Sequence, residues 1–305
     1  GGRLVVFDDR EALGGGLEPQ RRTDGVLTAV LARVACAGEI LRYRADGCSD
    51  VDLAAVDGGG GGDGDGTGGR VAVVGRRVGF RDGDDIVIDC GGINGDLPAL
   101  RLALSALPIT LGGLADHNVA NVIAAALVAR GLGLPDAAIA AGLADFRPNA
   151  ADSPGRSNTF SLHGAKILLD FGHNPDGVRR VAEFVARVAS KRRLVVVGQA
   201  GDRSDAEITG LIDGLLRCAP DRWLLKAMPR YARGREVGAI VALMRGALVA
   251  AGVADAAISV HDSEDAATCA ALDALTAGDL LVLLAHDNPA AVLARIVATG
   301  ATEGW

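Results

Sequence analysis

Residues 165–198 read AKILLDFGHNPDGVRRVAEFVARVASKRRLVVVG, and this stretch decides the fold. AKILLD (165–170) is a short apolar run closed by a carboxylate and reads as a strand. Residues 176–190 read as a helix, and RLVVVG (193–198) as the next strand. The same alternation continues to the end of the chain. Helices are expected at 205–217, 235–251, 263–276 and 288–299, and strands at 222–227, 256–261 and 279–285. Apolar strands alternating with helices imply βαβ units and a parallel sheet covered on both faces. Right-handed crossovers then bring every strand-to-helix loop to one carboxyl edge, where open α/β sheets bind ligands. The loops after each strand are therefore the residues to read for chemistry.

Upstream of residue 150 the pattern is less regular. Arg3–Phe7 is a short apolar run that reads as a strand stopping at Asp8-Asp9. Residues 57–69, DGGGGGDGDGTGG, are of low complexity and read as a loop insertion. Asp63-Gly64-Asp65-Gly66-Thr67-Gly68 has a superficial likeness to a calcium loop. The twelfth position of that frame is Val74 where a bidentate glutamate is needed, so a surface insertion is the better reading. Residues 70–90 alternate valine, glycine and charge, which suggests β-hairpins. A helix is expected from about Asn118 to Arg130, stopped by Gly131 and Gly133. Pro135 opens a second, with Asp136 in its first turn, reaching about Asp145.

The 305 residues suggest about two domains. With 49% hydrophobic and 23% charged residues, the chain can bury a sizeable core and is not wholly disordered. Aromatic residues make up 3%, too few for a base-stacking binder of single strands. A net charge of -7 with no basic tract disfavours nucleic acid as a partner. No apolar run reaches the length of a membrane span, and the first ten residues, reaching two aspartates at once, do not read as a signal peptide. The five cysteines lack CxxC spacing, and their odd number reads as reduced thiols of a cytoplasmic protein. A homo-oligomer is compatible with the sequence, which carries no signal for or against one.

Five loops carry candidate chemistry. Asp170-Phe171-Gly172-His173-Asn174-Pro175 crowds a carboxylate, an imidazole and an amide into one strand-to-helix turn. These groups could bind ribose, base or phosphate, or Asp170 or Asn174 could simply cap the helix that Pro175 starts. Gln199-Ala200-Gly201-Asp202-Arg203-Ser204-Asp205 follows the next strand. Gly201 permits an unusual turn, and the Arg203 fork suits a carboxylate or phosphate; a capped helix start is the plainer reading. The loop at 228–235 holds Arg230, Arg233 and Arg235, which suggests either an anionic substrate or a solvated charged loop. Asn118 and Asn121 share a helix face near its N-terminus and could read a base edge, or His117 or Asn118 could be an N-cap. Arg156, in Pro154-Gly155-Arg156, lies at the expected domain junction, either reaching a ligand there or solvated in a turn.

Singly these signals are weak. In order, they resemble the Mur ligase family. Its pattern runs roughly G-x-H-N-x-x-N-x-x-A-A, then P-G-R, then D-Y-A-H-N-P. This chain has Gly113, His117-Asn118 and Asn121 with Ala124-Ala125, then Pro154-Gly155-Arg156, then Asp170 to Pro175. The segments Gly201–Asp205 and Arg233–Val237 are most similar to the cyanophycin synthetases within that family, which use ATP to add aspartate and arginine to a polymer. The resemblance implies an α/β protein with a partial Mur-ligase central domain (mixed sheet and helices, 1–152) and a Rossmann-like, mostly parallel C-terminal domain (153–305). It implies an ATP- and Mg2+-dependent ligase that joins a carboxylate to an amine through an acyl phosphate. Asn118 and Asn121 would contact the nucleotide from the central domain. Arg156, Asp170, His173 and Asn174 would form the other nucleotide wall. Asp202, Arg203 and Arg233 would face the amino-acid or peptide substrate.

The chain also departs from the family. Such a ligase needs a phosphate loop with G-K-T or G-K-S, and Lys166, Lys191 and Lys226 are followed by Ile, Arg and Ala. No glutamate set matches the family's magnesium ligands, and within Asp170-Phe171-Gly172-His173 the pair Phe171-Gly172 stands where Tyr-Ala is usual. Val5-Val6-Phe7-Asp8-Asp9 resembles a strand end inside the family's central domain. The expectation is the second half of a ligase whose missing N-terminal portion is a partner in activity. The alternatives are a non-catalytic nucleotide- or amino-acid-binding remnant, or a Mur-type ligase with another peptide substrate.

Overall fold

The structure is a computed structural model and describes residues 53–56, 71–74, 77–89 and 98–305. The expected strand at 3–7, the glycine-rich stretch 57–69 with its calcium-like frame, and Cys36, Cys48 and Cys90 lie outside the described residues. The chain divides into two compact units, Gly1–Arg147 and Pro148–Trp305.

In the first unit, β1 (Leu53–Val56), β2 (Val71–Val74), β3 (Arg77–Asp82), β4 (Asp85–Asp89) and β5 (Leu100–Ala103) form an antiparallel sheet in sequence order. The hairpins expected over 70–90 are thus present, and β5 was not foreseen. Two short 3-10 turns, Leu104–Ala106 and Pro108–Thr110, lead into α1 (Asp116–Gly131) and α2 (Asp136–Asp145). Pro135 stands just before α2, in extended conformation, and does not begin it. Ile86 and Ile88 of β4 meet Val122, Ile123 and Leu127 of α1 and Ile139 and Leu143 of α2 in one core. Arg130 is almost fully buried at the end of α1 and donates to the carbonyls of Ile88 (2.7 Å) and Pro98 (2.6 Å). Asp136 supplies its countercharge at 2.9 Å.

The second unit begins with β6 (Asn158–Leu162) and β7 (Ala165–Asp170), an antiparallel hairpin. Its two-residue turn, His163-Gly164, has positive φ at both positions (48° and 81°), the geometry that matches strand twist in a tight hairpin. Five helices and four more parallel strands follow. These are α3 (Pro175–Arg187), β8 (Arg193–Val197), α4 (Asp205–Leu216), β9 (Arg222–Lys226), α5 (Val237–Ala250), β10 (Ile258–His261), α6 (Glu264–Asp273), β11 (Leu280–Leu284) and α7 (Pro289–Ala298). The two-residue β12 (Thr302–Glu303) pairs antiparallel with β6.

The sheet order is β10-β9-β8-β11-β7-β6-β12, and β7 to β11 are mutually parallel. Strand alternation divides the core. Ile167, Leu169, Leu194, Val196, Leu281 and Leu283 form one cluster with Ala267 and Ala271 of α6 and Val292 and Ile296 of α7. The intervening Leu168, Val195, Val197 and Val282 are equally buried. They point to the other face, where α3, α4 and α5 lie side by side. Because β11 inserts between β7 and β8, its outgoing helix leaves on the face opposite to theirs. That reversal is a topological switch point, and the loops after β7, β8 and β11 surround it.

Candidate functional site

The loop after β7 is built around Asp170, whose side chain closes the strand. Its Oδ2 accepts from the Ser157 amide (2.8 Å) and hydroxyl (3.3 Å), and its Oδ1 from the Gly172 amide (2.7 Å). The carboxylate is buried and caps no helix. It fastens the 153–158 turn to the end of β7. Asn158, fully buried, holds that turn from within. Its Oδ1 accepts from Gly155 N (2.7 Å), and its Nδ2 donates to the Ser153 carbonyl (2.7 Å). The turn so fixed carries Arg156, whose guanidinium carbon lies 5.3 Å from the centre of the Phe171 ring. A guanidinium at that distance is held by the face of an aromatic ring.

Asn174 is the N-cap of α3, with Oδ1 accepting from Gly177 N at 2.7 Å, and Pro175 is the first helical residue. Of the two readings open in the sequence, capping describes what Asn174 does in the structure. His173 tilts against Phe171, with ring centres 5.2 Å apart. Its carbonyl accepts from Gln199 Nε2 at 2.9 Å, which ties the β8–α4 loop to the β7–α3 loop.

The arginines after β9 are matched with carboxylates of neighbouring loops. Arg233 pairs with Asp202 at 2.8 Å, Arg235 with Asp205 at 2.6 Å, and Arg230 approaches Asp287 at 3.6 Å. Arg203 reaches Glu207 in the first turn of α4 at 3.6 Å. These side chains are partly to largely exposed, so each pair contributes at most about 1 kcal/mol. The loop arginines are thus neutralised across the edge and do not form a bare cationic patch. Gly201 brings the β8–α4 and β9–α5 loops into contact, donating to the Tyr231 carbonyl at 2.8 Å.

The loop after β11 was not foreseen as part of the site. His286 is buried, with Nε2 2.8 Å from the Gly172 carbonyl, which fixes the Nε2–H tautomer. Its Nδ1 is buried with no hydrogen-bond partner among the described residues. Burial, with the charge of Lys226 nearby, pushes the imidazole down to about 3, so it stays neutral at physiological pH. Lys226 ends β9 fully buried and donates to Glu264 and to the Leu284 carbonyl. Burial lowers its pKa, opposed by the Glu264 charge. Burial alone would raise Glu264. The Lys226 charge and hydrogen bond, with the amides of Asn288 and His286, hold it down at about 2. Nothing local in the sequence signals this pair, because its members lie 38 residues apart.

In the first unit, Asn118 is buried and its amide donates to the Ile109 carbonyl at 2.9 Å, bracing the turn before α1. Asn121, one turn on, is partly exposed. Among the described residues no group of three or more His, Cys, Asp or Glu side chains could hold a metal ion. Nor is any described helix long and apolar enough to cross a membrane.

Residues 155–286 match the family described as Mur ligase, glutamate ligase domain. Over 138 residues the chain is 36% identical to a cyanophycin synthetase of Trichormus variabilis, covering 45% of this chain and 15% of that protein. Over 178 residues it is 34% identical to a UDP-N-acetylmuramate–L-alanine ligase of Agrobacterium fabrum, covering 56% of this chain and 35% of that one. A solved murein peptide ligase from Psychrobacter arcticus aligns at 15% identity with a TM-score of 0.49, covering 72% of this chain and 42% of that one. The chain therefore spans well under half the length of each of these proteins.

Proposed function

We propose that this chain is the C-terminal portion of an ATP- and Mg2+-dependent carboxylate–amine ligase, with residues 153–305 as its C-terminal domain and residues 1–152 as part of its central domain. The observation that carries the reading is the family match over 155–286. It spans the loops that converge on the switch point, including the Arg156 turn held by Asp170. ATP supplies the phosphoryl group that activates the carboxylate. This chain's residues supply binding and orientation. Arg156, set on Phe171, contacts the nucleotide with His173. Asp170 and Asn174 act by holding the Arg156 turn and the start of α3. In the first unit Asn121 is the nucleotide contact, and Asn118 braces the turn beneath it. Asp202, Arg203 and Arg233 face the amino-acid substrate.

The likeness to cyanophycin synthetases supports aspartate and arginine as the amino acids joined. The paired arginines and aspartates on the β8–α4 and β9–α5 loops are chemically suited to such ligands, since each pair offers one group for a carboxylate and one for a cation. A cytoplasmic location fits ATP as substrate. The rival reading is a binding module without turnover; the 305 residues hold no G-K-T or G-K-S, so a phosphate-loop segment encoded upstream in the same frame separates the two.

The deciding experiment uses a protein in which a phosphate-loop segment precedes this chain in the same reading frame. ADP release should then require magnesium, a peptide carboxylate and aspartate or arginine together, with amide product in equal amount. ADP release independent of both amino acids would remove the substrate assignment. A reading frame that holds no such segment favours the binding module.

A further inference from the structure

The turn between β11 and α7 presents three successive amide groups to one acceptor. His286 N (2.7 Å) and Asp287 N (3.1 Å) donate to Glu264 Oε2, and Asn288 N (2.8 Å) donates to Oε1. Consecutive amides between a strand and a helix N-terminus are the geometry that binds phosphate or carboxylate anions. Here the anion is part of the chain. Glu264 enters from the first residue of α6, and Lys226 meets it from the end of β9. Both side chains are buried, 0% and 4% exposed. A carboxylate there without a cation would be strongly unfavourable, and a lysine without its carboxylate equally so.

We propose that Glu264 is a positioning residue: its carboxylate is a built-in anion that fills the β11–α7 nest, and Lys226 is the countercharge that permits it. The bonds run on from there. The nest fixes His286, His286 donates to the Gly172 carbonyl, and the next carbonyl, that of His173, accepts from Gln199. The loops after β7, β8 and β11 are thereby set before any ligand arrives. The nest itself is full, so a nucleotide phosphate at this edge is held elsewhere. That the edge binds a ligand rests on the function proposed above; the nest and its occupant do not.

The test uses the whole chain and needs no nucleotide. In Glu264→Ala, amide exchange at residues 286–288 should rise about tenfold or more relative to strand β8, as for a loop that opens locally. The 15N signature of the neutral Nε2–H tautomer of His286 should be lost as well. Sodium formate, compared with chloride at equal ionic strength, should restore both saturably in the variant and change neither in the wild type. Unchanged protection at 286–288 in the variant, or no response of a folded variant to formate, would overturn the proposal. If Glu264→Ala does not fold, the double variant Lys226→Met/Glu264→Leu decides. An apolar pair can replace a buried ion pair without loss of stability. Its 286–288 amides should still exchange about tenfold faster than the wild type's. Wild-type protection there would overturn the proposal equally.

Discussion

Replacing Gly201 by alanine tests whether the β8–α4 and β9–α5 loops are interlocked. A Cβ on Gly201 would lie 1.9 Å from the Ala232 carbonyl oxygen, 2.8 Å from its carbon and 3.1 Å from Arg235 Cβ. Two of these are backbone atoms, so no side-chain rotation relieves the clash. The loops must separate by about 1 Å, comparable to the overpacking changes that cost about 1–3 kcal/mol. The same movement stretches the bond from Gly201 N to the Tyr231 carbonyl, now 2.8 Å, which adds about 1 kcal/mol. The half-exposed Arg233–Asp202 and Arg235–Asp205 pairs add less than about 1 kcal/mol between them. The expected loss is about 3 kcal/mol. Both tryptophans, Trp223 and Trp305, lie in the second unit, so urea unfolding followed by fluorescence reports on it. With a slope of about 2 kcal/mol per molar, the midpoint should fall by about 1.5 M. Gly246, exposed in α5 with nothing within 4 Å of its would-be Cβ, is the control. Gly246→Ala should be neutral or stabilising by up to about 1 kcal/mol. A Gly201→Ala midpoint within error of the wild type would refute the interlocking.

Three further outcomes follow from the same edge. His286 is depressed to about 3, so the unfolded chain takes up a proton near pH 6.5 that the folded chain refuses. Its share of stability is complete above that pH and declines as pH falls towards 3, by about 1.4 kcal/mol per unit. His286→Gln should therefore flatten the stability profile between pH 6.5 and 4.5, as read by urea midpoints at each pH; a profile parallel to the wild type's would contradict the assignment. Asn174→Ala should cost about 1 kcal/mol by thermal unfolding, and Asn174→Asp should keep most of it, because only the cap is lost. A larger loss from aspartate than from alanine would contradict that reading. Lys226→Met leaves Glu264 buried without its cation and should cost about 3–5 kcal/mol in urea, far more than Lys226→Met/Glu264→Leu. Equal stability of the single and double variants would refute the pairing.

The second unit was largely legible because its strands are buried on both faces. AKILLD, RLVVV and DLLVLLA announce themselves as apolar runs, and the five predicted helices fall where expected to within three residues at either end. The helix expected over 176–190 stops at Arg187 because Val188 turns to extended conformation and is buried. The hairpin partner of β7 was missed, although His163-Gly164 is a local signal for a tight turn. In the site, the loops after β7, β8 and β9 were found because strand ends can be read locally. Which side chains in them are engaged was not legible. Asp170 and Asn158 act on a turn that precedes them, and Arg233 meets a carboxylate 31 residues away. His286 and Glu264 were missed altogether. His286 reaches Gly172 across 114 residues, and only the insertion of β11 between β7 and β8 brings them together.

Calorimetric titration of ATP with magnesium into the chain, repeated with Arg156→Ala, tests the central claim most directly. Asp170 and Asn158 hold the Arg156 turn through its backbone, so the variant should fold as well as the wild type. Binding should be measurable in the wild type and weaken about fivefold or more in the variant, as for loss of one charged hydrogen bond. No binding up to about 5 mM ATP, or equal affinity of the two proteins, would contradict it.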